Sequence, residues 1–131
     1  MSLIALFLAA LANVIIGALW YHPNIFGSAW MRIANPSPEA AERAHSRRGA
    51  AMLIAFCSGL FSAYVLGLLL HAFAIQNVGG AIHVALTAWL GLSAPPMLGM
   101  VLWEDKPFSY YAIVSGNWLA SFVVMSIIIF Y

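Results

Sequence analysis

Charge is what this sequence has least of. Five Lys and Arg and four Asp and Glu serve 131 residues, a charged fraction of 7%, where an ordinary soluble domain carries about 25%. With a mean hydropathy of +0.95, that scarcity excludes an ordinary soluble domain. A formal net charge of +1 offers no hold on nucleic acid. The one cysteine, Cys57, excludes an internal disulfide; inside an apolar run it reads as a small packing residue rather than a reactive thiol. Also missing are a Gly-rich phosphate loop, a Ser/His/Asp order, a zinc signature and paired carboxylates. No catalytic residue and no metal site is therefore assigned, no cofactor is required, and the balance leans away from an enzyme.

What is there is apolar and arranged in runs. Hydrophobic residues make up 64% of the chain, and 131 residues hold about four helices of membrane-spanning length with little left over. The spans fall at about 3–21, 49–73, 81–102 and 109–130. The fold class is all-α: a single-domain integral membrane four-helix bundle with an interfacial segment after helix 1 and a long helix 2. The first run has no basic n-region and is longer than a signal-peptide core of roughly 7–15 residues, so it reads as a retained helix. Pro23 ends it, and Asn24–Ala34 then reads as a short interfacial helix or re-entrant turn.

In Asn35-Pro36-Ser37-Pro38, Ser37 suits an N-cap and Pro38 the first helical position. Glu39 favours the positive end of the dipole and pairs i,i+4 with Arg43. The polar stretch Glu39–Arg48 runs on with no breaker except Gly49, which predicts one continuous helix projecting from the bilayer before entering it. In the third span, Pro95-Pro96 frees carbonyls near Gly91 and Leu92 and predicts a kink.

All five cations lie in two segments. Arg32, Arg43, Arg47 and Arg48 follow the first span, and Lys106 follows the third. By the positive-inside rule, segments 22–48 and 103–108 are cytoplasmic and both termini lie outside. His45 sits among these arginines as a solvated or headgroup-facing residue, and anionic lipid is a natural neighbour for the same face.

Five groups of residues stand out. Ala51, Ala55, Gly59, Ala63 and Gly67 repeat every four residues, a small-residue ridge that permits close helix contact within the protomer or between protomers. His71 and His83 flank the Ile75–Gly80 link symmetrically, each about 9 Å from the turn at ~1.5 Å per residue. Such a pair could ligate haem or a metal or relay protons, or simply reach water at the interface. Asn13 and Asn117 are amides within spans, suited to gluing helices. Glu104 follows a helix C-terminus, where the dipole disfavours it; docking to Arg47 or Arg48 would compensate, and an exposed charged turn is the alternative.

The last group is Trp20, Tyr21, Pro23, Phe26, Gly27 and Trp30, aromatic rings at the membrane–water boundary. Their spacing, Gly-x-x-Trp-Tyr-x-Pro-x-x-Phe-Gly-x-x-Trp from Gly17 to Trp30, resembles the signature of a small bacterial membrane family, domain of unknown function 1761. Glu104 and Gly116 with Trp118 match it further on, so the resemblance covers essentially the whole chain. It implies a four-helix integral membrane protein and transfers no reaction. His22 departs from it where relatives often carry Ser, and Pro95-Pro96 where polar residues are commoner.

Two functional readings follow. One is a non-enzymatic bundle that self-associates or serves as an accessory subunit of a larger membrane complex, with the lipid bilayer and a homo-oligomer as partners. The other is an oligomeric small transporter or haem-binding protein with a cavity near His71, His83, Thr87 and the Pro95-Pro96 kink.

Overall fold

A computed structural model describes residues 1–131. The fold is all-helical, with no strand. Helix α1 (Leu3–Trp20) starts at Ser2, whose Oγ accepts from the Ala5 amide at 3.3 Å. A single wide helical turn follows at Pro23–Gly27, then α2 (Ser28–Ala34) and α3 (Pro38–Ser46). Helix α4 (Arg48–Ala72) has 25 residues, or roughly 37 Å at 1.5 Å per residue, longer than a hydrocarbon core of about 30 Å. The third span is α5 (Val78–Ala88), a wide turn at Trp89–Ser93, α6 (Ala94–Met97) and α7 (Gly99–Leu102). Helix α8 (Phe108–Phe130) completes the chain.

Leu3–Trp20, Arg48–Ala72, Val78–Leu102 and Phe108–Phe130 are each long and apolar enough to cross a membrane. Their side chains show which solvent suits them. Leu3 is 83% exposed, Phe61 75% and Phe108 66%. In water, hiding such groups is the dominant drive to fold; on these helices they face outward, as residues bathed in lipid do.

Helix α8 touches each of the other three spans, and α1 also lies along α4. The packed interior is made largely of small side chains. Ala9, Ala63, Leu66, Ala88 and Met125 form the main cluster, and Leu70, Ala81 and Val84 a second. Both lie toward the end that carries the Phe73–Asn77 link, here called the uncharged end. The other end carries all five cations.

Two expectations are corrected. The second helix is not continuous from Glu39: it breaks at Arg47 (φ −100°, ψ 9°), separating α3 from α4. Side chains make the break, because Ser46 Oγ (2.9 Å) and Arg47 Nε (3.3 Å) both donate to the Arg43 carbonyl and cap α3 as a helix of its own. Cys57, expected to pack, is exposed on α4. Ser37 does cap α3, accepting from the Ala40 amide at 3.1 Å, with Pro38 in the first position.

In the third span, Pro95 and Pro96 have no N–H to return to Gly91 and Leu92. The preceding turn widens, so that the Ala94 amide reaches the Trp89 carbonyl instead. Two side-chain bonds hold this interrupted stretch to α8: Trp89 Nε1 donates to the Ser115 carbonyl and Tyr111 Oη to the Ala94 carbonyl, both at 2.8 Å. Neighbouring helices thus support a stretch that proline has weakened, as a break within a membrane requires.

Candidate functional site

The segment from Trp20 to Trp30 owes its shape to local chemistry. His22 precedes the wide turn in extended geometry; its Nδ1 accepts from the Asn24 amide at 3.1 Å. Pro23 occupies the first turn, where a missing amide costs nothing. Its carbonyl accepts from Ser28 Oγ at 2.7 Å, and the Gly27 amide donates to the His22 carbonyl at 3.0 Å. This folding back brings Gly27 onto the Tyr21 carbonyl, and a Cβ there would also meet the Tyr21 and His22 carbonyl carbons at 2.8 and 2.9 Å. Only glycine fits.

Aromatic contacts then tie the segment to the bundle. Trp20 packs in a notch over Gly116, where an added Cβ would lie 2.9 Å from its ring. Its Nε1 donates to the Ile113 carbonyl at 2.8 Å, and Phe26 covers it with ring centroids 4.6 Å apart. Tyr21 meets Trp30 edge-on at 5.9 Å, and Trp30 lies over Tyr110 at 6.4 Å. The physical role of Gly116 is now visible: it makes room for Trp20 across 96 positions of sequence, which no local pattern announces.

Between this segment and the start of α4 lies an open hollow of about 1110 Å³. Tyr21, Gly27, Trp30, Arg32, Arg48 and Tyr110 are among its walls. Burial, and then the neighbouring Tyr110, push the Tyr21 phenol above its ordinary pKa. No carboxylate lines the hollow. Neither Arg32 nor Arg48 takes part in a side-chain hydrogen bond.

Arg48 and Ala51 are also walls of a second hollow, about 490 Å³, which reaches between α1, α4 and α8 to Asn13, Ser58 and Asn117. Asn13 is 8% exposed, and the buried Oδ1 of Asn117 has no hydrogen-bond partner. This hollow exists because α1 and α4 separate toward the charged end. At Gly59 the helices touch: a Cβ there would meet Asn13 Nδ2 at 3.0 Å and Ala10 Cα at 3.3 Å. Gly59, Ala63 and Gly67 are buried, with Gly67 under the Met1 side chain. On the same ridge Ala51 and Ala55 are exposed, and Gly17 opposite has nothing within 4 Å of its Cβ position.

The other sequence candidates are more scattered. His83, Thr87 and Gly91 line a hollow of about 580 Å³, and Thr87 Oγ1 donates to the His83 carbonyl at 2.8 Å. His71 lines a different hollow, of about 460 Å³, with Met1, Tyr64 and Gly67. Ile75 borders both, but the two imidazoles are not brought into one cavity. No group of three His, Cys, Asp or Glu is placed to hold a metal ion. Glu104 is exposed in the link after α7, Arg47 bonds within α3, and Arg48 belongs to the two hollows described above. In that link Lys106 Nζ lies 5.3 Å above the Tyr110 ring, a cation–π contact.

Sequence reasoning found the aromatic segment and the arginines but not the hollow they enclose. The missing signal is the divergence of α1 from α4, a tertiary property.

No curated protein and no solved structure matches the chain. A family model described as a protein of unknown function, DUF1761, matches residues 4–130. With the match running across all four spans, the chain belongs to the DUF1761 family.

Proposed function

We propose that this is a non-enzymatic membrane protein that works by association, as a self-associating bundle or an accessory subunit of a membrane complex. One observation carries the reading: the small-residue ridge of α4 continues past the point where α1 leaves it. Gly59 and Ala63 are covered by the protomer's own packing, whereas Ala51 and Ala55 are exposed beside an open Gly17. Small side chains let a further helix approach closely, which matters where lipid removes the hydrophobic drive. The unpartnered Asn117 Oδ1 and the Asn13 amide border the same gap, and an interhelical hydrogen bond would satisfy them. The occupant proposed is a second copy of this chain. The charged end is assigned to the cytoplasmic side of a bacterial inner membrane, with both termini outside, on the strength of the cation distribution.

Crosslinking through Ala55→Cys in a Cys57→Ser background, in mild detergent, should trap a dimer. Ala55→Leu should abolish the dimer and leave the protomer folded. Gly59→Leu should instead destabilise the protomer by about 2 kcal/mol, in the range of overpacked cores. A protein that stays monomeric and yields no crosslink would sink the reading.

A second reading, cofactor binding or transport, draws on the hollow beside His83, Thr87 and Gly91. Haem supplementation tests its haem form: a Soret band that His83→Ala removes would support it, and no band would count against it.

A further inference from the structure

The hollow of about 1110 Å³ between the Trp20–Trp30 segment and the start of α4 adjoins the gap proposed for self-association, sharing Arg48 and Ala51 with it. We infer that it is a binding site for the headgroup of an anionic phospholipid. Two arginines are among its lining residues, Arg32 from α2 and Arg48 from the first residue of α4. They come from different elements, no carboxylate lines the hollow with them, and neither has a hydrogen-bond partner among the chain's side chains. Two arginines without a side-chain partner at one cavity favour a ligand carrying net negative charge, and the guanidinium fork matches phosphate oxygens.

The remaining walls say what the anion is attached to. Tyr21, Trp30 and Tyr110 are rings with a polar edge, the kind that settle at headgroup depth. Met31, Ala51 and Val114 continue the lining as apolar surface. Met31 is exposed, as are Met52, Leu53 and Ile54 along α4. A soluble phosphate would gain from the arginines and nothing from these surfaces. A glycerophospholipid gains from both, with its phosphate at Arg32 and Arg48, its glycerol against the tyrosines and its acyl chains along the outward face of α4. The volume is not limiting, since ligand pockets commonly measure about 300–1,000 Å³. Other basic residues do not share the geometry: Arg43 lies on α3 and Arg47 bonds to the Arg43 carbonyl, both outside the lining.

The test uses the full chain purified in a maltoside detergent and mixed with equal amounts of phosphatidylglycerol and phosphatidylcholine of the same acyl composition. Native mass spectrometry reads the lipid retained per protomer. Phosphatidylglycerol should be retained in preference. Arg32→Gln and Arg48→Gln should each reduce that preference about fivefold, the worth of one cation near an anionic lipid. Arg43→Gln should leave it unchanged, and Arg48→Lys should lose less than Arg48→Gln, because the ammonium keeps the charge but not the fork. Arg32 sits outside the spans, so its variant carries the test if Arg48→Gln fails to fold. Equal retention of the two lipids would overturn the inference. An Arg43→Gln loss as large as that of Arg32→Gln would overturn it too, since the basic residues would then act as a diffuse patch. Displacement of the lipid by millimolar glycerol 3-phosphate would reassign the hollow to a soluble anion. The measurement is made per protomer, so its outcome is separate from whether the chain dimerises.

Discussion

The two ends of this molecule are held together by different physics. Toward the uncharged end, small side chains let helices touch: Ala9, Ala63 and Ala88 surround Met125, and Gly59 admits α1 almost to backbone contact. Toward the charged end the helices part, and aromatic side chains bridge them by donating to backbone carbonyls, Trp20 to Ile113, Tyr111 to Ala94 and, from mid-span, Trp89 to Ser115. Hollows of about 580 and 460 Å³ border the closely packed end, whereas bridging leaves hollows of about 1110 and 490 Å³ at the other, and only these two are lined by arginine. The two ends thus differ in how their helices are held and in the charge that their hollows offer.

The strongest way to break this contrast is at Gly27. Its Cβ position coincides with backbone at Tyr21, which no rotamer change relieves. Gly27→Ala should therefore unfold the Trp20–Trp30 segment and cost about 3 kcal/mol, the upper end for overpacking. Tryptophan emission should shift as Trp20 and Trp30 lose their packing, while helix content falls little. If detergent unfolding curves for Gly27→Ala and wild type coincide, the segment is not built as described.

Trp20→Phe is a milder strike at the same end. It withdraws the Cζ2 and Cη2 edge of the indole from Gly116 and deletes one hydrogen bond, so a loss of about 2 kcal/mol is expected. Trp89→Phe should cost a similar amount, because its bond to Ser115 has the same length, 2.8 Å. A much larger effect of one than of the other would show that the bridging bonds are not equivalent. In that case the charged end has a single keystone rather than a set of struts.

Much of the uncharged end, and less of the charged one, was legible in the sequence. Hydropathy and proline placed the spans, and a four-residue repeat marked the ridge that α1 meets at Gly59. Those are local signals, repeated often enough to be read. The break at Arg47 was not legible, because it rests on Ser46 and Arg47 side chains competing for one carbonyl within an otherwise helical polar stretch. The hollow was not legible either. The aromatic residues and Arg32 were evident near one another in sequence, but Arg48 and Tyr110 reach the same cavity only through the paths of α4 and α8. Likewise the ridge pattern alone does not say where α1 stops covering it. For His71 and His83, equal distance from a turn fixed depth and left helix rotation open, and the structure places them on separate hollows.

The smallest effect expected lies at the uncharged end and tests whether close packing there extends to the link itself. Ala74 has φ 49°, a left-handed conformation that costs an L-residue about 1–2 kcal/mol. Its setting explains why it is held there. The Ala74 amide donates to the His71 carbonyl at 3.0 Å and the Ile75 amide to the Leu70 carbonyl at 3.1 Å, the paired bonds of a Schellman cap, where glycine is the usual residue. Ala74→Gly removes the strain but adds backbone freedom to the unfolded chain, so the net gain should be about 0.5 kcal/mol. Ala72→Gly, two residues earlier at the last helical position of α4, should lose up to what a helix-interior glycine costs, ~1 kcal/mol. Opposite signs from two Ala→Gly changes two residues apart would identify the cap by its geometry. Equal losses would mean that the Phe73–Asn77 link is loose and that close packing stops short of it.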